Sequence, residues 1–281
     1  MSGLSNHTFP FSAVSARHAI ATGPDLDQHI QAATTALLDR QQADGHWVFQ
    51  LEADATIPAE YVLLTHFLGE TADIGLEGKI AAYLRRIQGA HGGWPLFHDG
   101  KFDISASVKA YFALKMIGDS PAADHMQRAR EAILAHGGAA RSNVFTRILL
   151  ALFGILPWRC VPVMPVEIML LPSWFPFHLS KVSYWARTVV VPLLILQACK
   201  PVARNPRGTR IDEIFTEPPH RARSRPRAPH QKRLWFVMFG AMDSILRFAE
   251  PLMPSALRRR AIEAAVSFIK ERLNGNEGLG A

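Results

Sequence analysis

Apolar side chains recur at a helical interval between residues 56 and 68. Ile57, Tyr61, Leu64 and Leu68 fall at i, i+4, i+7 and i+11, the spacing that lines one face of an α-helix. Ile104, Val108, Tyr111 and Phe112 fall at i, i+4, i+7 and i+8, again on one helical face. Both stretches are predicted as helices that turn these residues toward a core. Thr56 and Ser105 are the expected N-caps, and Gly69 and Gly118 the expected stops. "SNVFTRILLALFGILPW" (142–158) reads as an apolar helix ended before Pro157. "SYWARTVVVPLLILQACK" is apolar on nearly all sides, which predicts a buried helix. Between these two, Pro162, Pro165, Pro172 and Pro176 break the chain repeatedly. Strand patterns are nearly absent, so the fold class is all-α.

The helices belong to a repeat. "LLDRQQADGHW" and "LRRIQGAHGGW" share the pattern L-x3-Q-x3-G-x-W: Leu37, Gln41, Gly45 and Trp47 recur as Leu84, Gln88, Gly92 and Trp94. The match continues past the Trp, with Asp54 on Asp103, Thr56 on Ser105 and Gly69 on Gly118. Each unit is a helix, a Gly-rich turn bearing Trp, a short loop and a second helix. Such a hairpin cannot bury its apolar face alone; it must stack on neighbours in a solenoid or a closed ring. A third, eroded copy is read in "FIKERLNGNEGLGA", where Gln and Trp are missing.

Composition narrows the class. The 281 residues are 48% apolar, ample for a core and too apolar for disorder. Lys and Arg number 31 against 24 Asp and Glu, a formal charge of +7, which suits an anionic partner such as nucleic acid or a membrane surface. The two cysteines, Cys160 and Cys199, form neither a disulfide framework nor a metal-binding spacing. The N-terminal residues lack a basic stretch followed by a long apolar run, so a secreted protein is not expected. No run reaches the ~18 apolar residues of a spanning helix.

The positive charge is concentrated. "HRARSRPRAPHQKR" (220–233) carries six Lys or Arg and no acid, and "LWFVMFGAMDSILRFAEPLM" follows directly. Basic residues beside an apolar helix combine attraction to anionic lipid with insertion of side chains. Arg221, Arg223, Arg225, Arg227, Trp235 and Phe236 are the expected membrane contacts. Nucleic-acid binding would call for aromatics interleaved with the basic residues, so no nucleic-acid partner is expected.

These motifs together resemble the squalene–hopene cyclase family of triterpene cyclases. The repeats look like its QW motifs, and "DGHWVFQLEADATIPAEYVLL", "VFTRILLALFGILPW", "MPVEIMLLP" and "SYWARTVVVPLLIL" look like successive blocks of its N-terminal half. The match runs from about Leu37 to the end. It implies an α/α toroid of the terpene cyclase and prenyltransferase type, with a leading segment at 1–25 and an N-terminal α/α-barrel domain at 26–281 cut short at its C-terminus. It implies an acid-initiated polyene cyclisation of squalene or a related polyprenoid to hopanoids, with no metal and no organic cofactor. It also implies a peripheral place on the cytoplasmic face of the inner membrane. The family's proton donor lies in a D-x-D-D run, which these 281 residues do not contain; "DLD" at 25–27 lacks the last Asp. The chain is therefore not expected to be catalytic alone. The alternative is a non-catalytic, membrane-associated repeat module that binds an apolar isoprenoid.

The resemblance also assigns residues. Gln41, Gly45, Trp47, Gln88, Gly92 and Trp94 would clamp neighbouring outer helices, the Gln stacking on the Trp and bonding backbone at a helix end. Trp185 and Phe145 align with aromatics of the substrate cavity, against a default reading as core. Glu52 aligns with a Glu that holds water near that cavity, against a default as a solvated residue or a cap. Where some members carry Glu in the "AYFAL" helix, this chain has Lys109. Glu52 and Asp54 as the acid and base of a glycosidase lack the surrounding sugar contacts. A prenyltransferase zinc site lacks its Cys and His neighbourhood.

Overall fold

The computed structural model describes residues 23–48, 54–222 and 232–273. The chain divides into two compact units, 1–52 and 53–281. Among the described residues there is no strand, and one isolated bridge joins Trp94 to Asp103.

In the first unit α1, Gly23–Leu38, leads into the first Trp-bearing turn. Gly45 takes a positive φ of 91°, a conformation that glycine adopts without the Cβ clash of other residues. Gln41 Nε2 donates to the Gly45 carbonyl at 2.6 Å. Trp47 Nε1 donates to the Leu37 carbonyl at 2.7 Å, an orphan group of the helix end.

The second unit contains α2 (Thr56–Leu68), α3 (Ile74–Arg86), α4 (Ile104–Ile117), α5 (Asp124–Ala135) and α6 (Val144–Leu152). It continues with α7 (Tyr184–Cys199), α8 (Arg233–Ala249) and α9 (Ser255–Lys270). The helix α4 is central: it packs on α2, α3, α5 and α6, and Val108, Tyr111 and Phe112 are wholly buried. A second core joins α7 and α9 through Val191, Leu194, Ala261 and Ala265.

The predicted stops hold. The Gly69 and Gly118 amides close α2 and α4 on the Thr65 and Leu114 carbonyls. The predicted cap Ser105 lies two residues too late and Thr56 one, Ala55 holding the N-cap position of α2 without a side-chain bond. Asp103 is the N-cap of α4, accepting from the Ala106 amide, and Asp54 accepts from both the amide and the hydroxyl of Thr56. Asp caps as well as Ser and better than Thr, and its charge suits the positive end of the helix dipole.

Three apolar patterns land differently from their reading. Ile57, Tyr61, Leu64 and Leu68 are exposed, and α2 buries Ala59, Val62, Leu63 and His66 instead. The helix after Ser142 ends at Leu152, because Gly154 at φ 66° starts the turn well before Pro157. The helix α7 is half-covered rather than buried on all sides: Thr188, Val191, Leu194 and Gln197 face inward, while Tyr184, Trp185 and Val189 are exposed.

An extended strap, residues 200–222, fastens the helical core. Its amides at Ala203, Arg204 and Asn205 donate to the carbonyls of Leu152, Phe67 and His66 at 2.8–3.1 Å. Arg207 reaches the Met116 carbonyl at 2.6 Å and the Glu77 carboxylate at 3.0 Å, and His66 Nε2 lies 2.7 Å from the other Glu77 oxygen. Glu213 takes hydrogen bonds from Lys115 and from the Tyr111 hydroxyl. Burial, with that bond to a carboxylate, pushes the Tyr111 phenol far above its ordinary value.

Candidate functional site

The second Trp-bearing turn is the best-defined feature of unit 2. Trp94 is wholly buried, and its Nε1 donates to the Leu84 carbonyl at 2.8 Å. Gln88 Nε2 donates to the Gly92 carbonyl at 2.6 Å and to the His125 carbonyl, at the start of α5, at 2.8 Å. Arg128 Nη2 donates to Gln88 Oε1 at 3.0 Å. Gly92 has φ 85°, and a Cβ there would stand 2.7 Å from the Arg128 carbonyl oxygen. The turn thus fixes the end of α3 to the start of α5. Both turns repeat the same two internal bonds, Trp to Leu and Gln to Gly. They differ in cover, since Trp47 is 44% exposed.

A charged joint lies beside this clamp. Arg85 Nε donates to Asp119 Oδ2 at 2.9 Å, His125 Nε2 lies 2.6 Å from the same oxygen, and Arg85 Nη2 meets Oδ1. Burial alone would raise the Asp119 carboxyl; the hydrogen bonds from Arg85 and His125 outweigh it and hold the carboxyl below its ordinary value.

Two aromatic residues occupy like positions. Phe145 and Trp185 are each the second residue of a helix, α6 and α7, behind a side-chain cap. Asn143 accepts from Thr146 and Ser183 from Ala186. The caps fix where each helix begins. Both rings are open: Phe145 is 50% and Trp185 67% exposed, so neither is a core residue of unit 2. Three clefts of unit 2, of about 840, 610 and 140 Å³, are lined by other residues. Glu52 lies outside the described residues.

The sequence reading missed a partner. Lys109 is nearly buried in α4, with its ammonium 2.6 Å from the half-exposed Glu60 carboxylate of α2. A buried lysine needs such a counter-charge. Glu60 is separated from Lys109 by 49 positions, so no local spacing announced it. Among the described residues no group of three or more His, Cys, Asp or Glu could hold a metal ion.

The basic run is partly described. Arg221 is exposed, and Arg223, Arg225 and Arg227 lie outside the described residues. The helix α8 that follows is anchored through polar contacts. Asp243, its one buried residue, accepts from the Val163 amide at 2.6 Å, and Arg247 donates to the Val161 carbonyl at 2.7 Å. Its apolar side chains stay outside. Leu234, Trp235, Val237, Met238, Phe239, Ile245 and Phe248 are exposed, and Phe236 is half-buried. No helix among the described residues is long and apolar enough to cross a membrane.

A family model described as the squalene-hopene cyclase N-terminal domain matches residues 30–281. The chain belongs to the squalene–hopene cyclase family. The squalene–hopene cyclase of Bradyrhizobium diazoefficiens is 62% identical over 256 residues, which cover 91% of this chain and 39% of that protein. The squalene–hopene cyclase of Zymomonas mobilis is 58% identical over 270 residues, 96% of this chain and 40% of that protein. A dammaradiene synthase of Dryopteris crassirhizoma is 32% identical over 254 residues, 90% and 36% respectively. The chain spans about two-fifths of the length of these cyclases. The triterpene cyclase relationship therefore holds across all of unit 2, from the Trp-bearing clamp to α9.

Proposed function

We propose that this chain is the scaffold and one wall of the cavity in which a squalene–hopene cyclase-type enzyme folds and cyclises a polyprenoid such as squalene. The observation that carries the reading is the exposure of Trp185 and Phe145 behind rigid helix caps, at positions that resemble cavity aromatics of the family. A carbocation travelling along a polyene needs walls that attract it without bonding to it. An aromatic face does this through its quadrupole, worth ~2 kcal/mol or more in a dry site.

Initiation needs something else. An unactivated alkene is protonated only by a neutral carboxylic acid sharpened by hydrogen bonds in a water-poor pocket. No D-x-D-D run occurs in these 281 residues, so the acid is assigned to polypeptide of the kind the longer relatives possess. Access to an apolar substrate is assigned to the membrane: α8, with the basic run before it, lies on an anionic bilayer surface at the cytoplasmic face and remains peripheral.

The test compares two proteins. One is this chain alone; the other is this chain joined to the remaining part of the Bradyrhizobium relative. Each is incubated with squalene in detergent, and pentacyclic products are sought by mass spectrometry. The joined protein is expected to turn over and the chain alone is not. Trp185→Ala in the joined protein is expected to slow cyclisation by about tenfold, the equivalent of ~1.4 kcal/mol of cation stabilisation. Turnover by the chain alone, or an unaltered rate and product from Trp185→Ala, contradicts the proposal.

A further inference from the structure

The smallest of the three clefts, about 140 Å³, opens where the ends of α7 and α8 and the start of α9 meet residues 158–167. It has room for several waters and is far below the ~300–1,000 Å³ of pockets that enclose drug-sized ligands, so a polyprenoid does not fit it. Four cations line it, Arg159, Lys200, Arg247 and Arg258, with two carboxylates, Glu167 and Glu250.

Most of this charge is already matched. Lys200 Nζ donates to the Glu250 carboxylate at 2.7 Å. Arg258 Nε donates to Glu167 Oε1 at 3.0 Å, and its Nη2 to the Glu250 carbonyl at 3.1 Å. Arg247 pairs with Asp243 one turn earlier in α8 and reaches the Val161 carbonyl at 2.7 Å. Gln197 serves as wall, its amide spent on the Pro162 carbonyl and the Met164 amide. Two groups remain. Glu167 is 8% exposed, yet its Oε2 has no hydrogen-bond partner among the described residues. The large majority of buried polar atoms have a partner, and leaving a charged one without costs more than leaving a neutral one. Arg159 donates to the neutral His220 carbonyl, and no described carboxylate pairs with it.

We infer that this cleft binds a small zwitterion carrying a phosphate and a primary ammonium, the chemistry of phosphoethanolamine. The phosphate takes Arg159 and the remaining N–H groups of Arg247, since a guanidinium fork suits phosphate oxygens. The ammonium donates to Glu167 Oε2. The two unmatched groups set the class of ligand. A phosphate alone would bring a further acceptor to a carboxylate oxygen that needs a donor. A metal cation alone would meet four positive side chains. A quaternary ammonium has the charge but no N–H to give. The same chemistry comes from two sources, the headgroup of a phospholipid or a free phosphate ester of ethanolamine. Neither cyclisation nor a bilayer is required for the site to bind.

Isothermal titration calorimetry of this chain with glycerophosphoethanolamine tests it. Saturable binding is expected. Glycerophosphocholine and inorganic phosphate, which lack the ammonium donor, are each expected to bind at least about tenfold more weakly, the loss of one charge-assisted hydrogen bond. Arg159→Gln, at an exposed side chain, is expected to weaken glycerophosphoethanolamine about tenfold for the same reason. Glu167→Gln replaces the acceptor by an amide and is expected to erase the preference for ethanolamine over choline. Circular dichroism checks that both variants fold; if Glu167→Gln does not, Arg159→Gln and the probe series still decide. No saturable binding at tens of millimolar, with vesicle flotation indifferent to phosphatidylethanolamine, overturns the inference. So does equal affinity for the three probes, an Arg159→Gln variant that binds like wild type, or a folded Glu167→Gln variant that keeps the preference. Flotation with phosphatidylcholine vesicles, with and without phosphatidylethanolamine, tells the sources apart. Phosphatidylethanolamine that increases binding of wild type and not of Arg159→Gln supports the site and makes the ligand a lipid headgroup. Phosphatidylethanolamine without effect, while glycerophosphoethanolamine binds, supports the site and makes the ligand a free ester.

Discussion

Trp94→Ala is expected to be far more damaging than Trp47→Ala, although the two residues hold the same place in the same motif. Trp94 is wholly buried, against α3 and α4 elements of the main core. Truncating a buried Trp costs about 3–5 kcal/mol through lost transfer energy and the cavity left behind. The Leu84 carbonyl, which accepts from the indole at 2.8 Å, loses its side-chain donor as well, adding about 1 kcal/mol. Trp47 keeps 44% of its surface exposed, so little more than half of the ring contributes and its removal leaves a surface notch in place of a cavity. A cost of about 1.5–2.5 kcal/mol follows from scaling the buried case. Urea denaturation followed by far-ultraviolet circular dichroism measures both, with the midpoint converted through the slope of the wild-type curve. Trp94→Phe separates the two contributions at the buried site: it keeps most of the packing and loses the N–H donor, so it should fall near 1–2 kcal/mol. Equal losses from Trp47→Ala and Trp94→Ala, or a loss under 1 kcal/mol at Trp94, would refute the reasoning that cover rather than motif identity sets the energy.

Gly92→Ala is expected to destabilise more than Gly45→Ala. Both have positive φ, but a Cβ at 92 meets the Arg128 carbonyl oxygen at 2.7 Å, whereas at 45 the nearest atom is Gln41 Nε2 at 3.9 Å; thermal melts of the two variants should differ in that order. The Asp119 carboxyl is held below its ordinary value when folded, so its contribution is complete above the unfolded value of ~4 and is lost as pH falls through the lower folded value. The stability gap between wild type and Asp119→Asn should therefore be constant near neutrality and close on acidification; a gap that widens in acid contradicts the assignment. Arg207→Ala removes a cation from the buried Glu77 carboxylate and a donor from the Met116 carbonyl, and should cost about 1–3 kcal/mol and loosen the strap first, seen as faster hydrogen exchange at Ala203–Asn205. Vesicle flotation should show that Trp235→Ser with Phe236→Ser weakens binding to anionic liposomes at all salt concentrations, while Arg→Gln changes at 221, 223, 225 and 227 act mainly at low salt; a wild-type chain that never floats contradicts the membrane proposal.

Sequence alone determined the local features. The all-α class, the stops at Gly69 and Gly118, the repeat and the family were legible because each rests on spacing within one turn or one hairpin: a glycine in the left-handed region, a Trp ten residues from the carbonyl it caps, a Gln four from the carbonyl it meets. What only the tertiary structure decided is which apolar surface is inside. Period alone marks a face, not the neighbour that covers it, so Ile57, Tyr61, Leu64 and Leu68 pass for core although Ala59, Val62 and Leu63 fill that place. The helix α7, apolar on nearly all sides, is covered where α9, the turn at Val166–Leu170 and the α6 cluster meet it, and it leaves Tyr184, Trp185 and Val189 open. The same holds for charge. Glu60 with Lys109, Glu77 with Arg207 and Glu213 with Lys115 join residues 49 or more positions apart. No local rule selects such pairs, because a buried charge takes whichever counter-ion the packing of distant helices brings within reach.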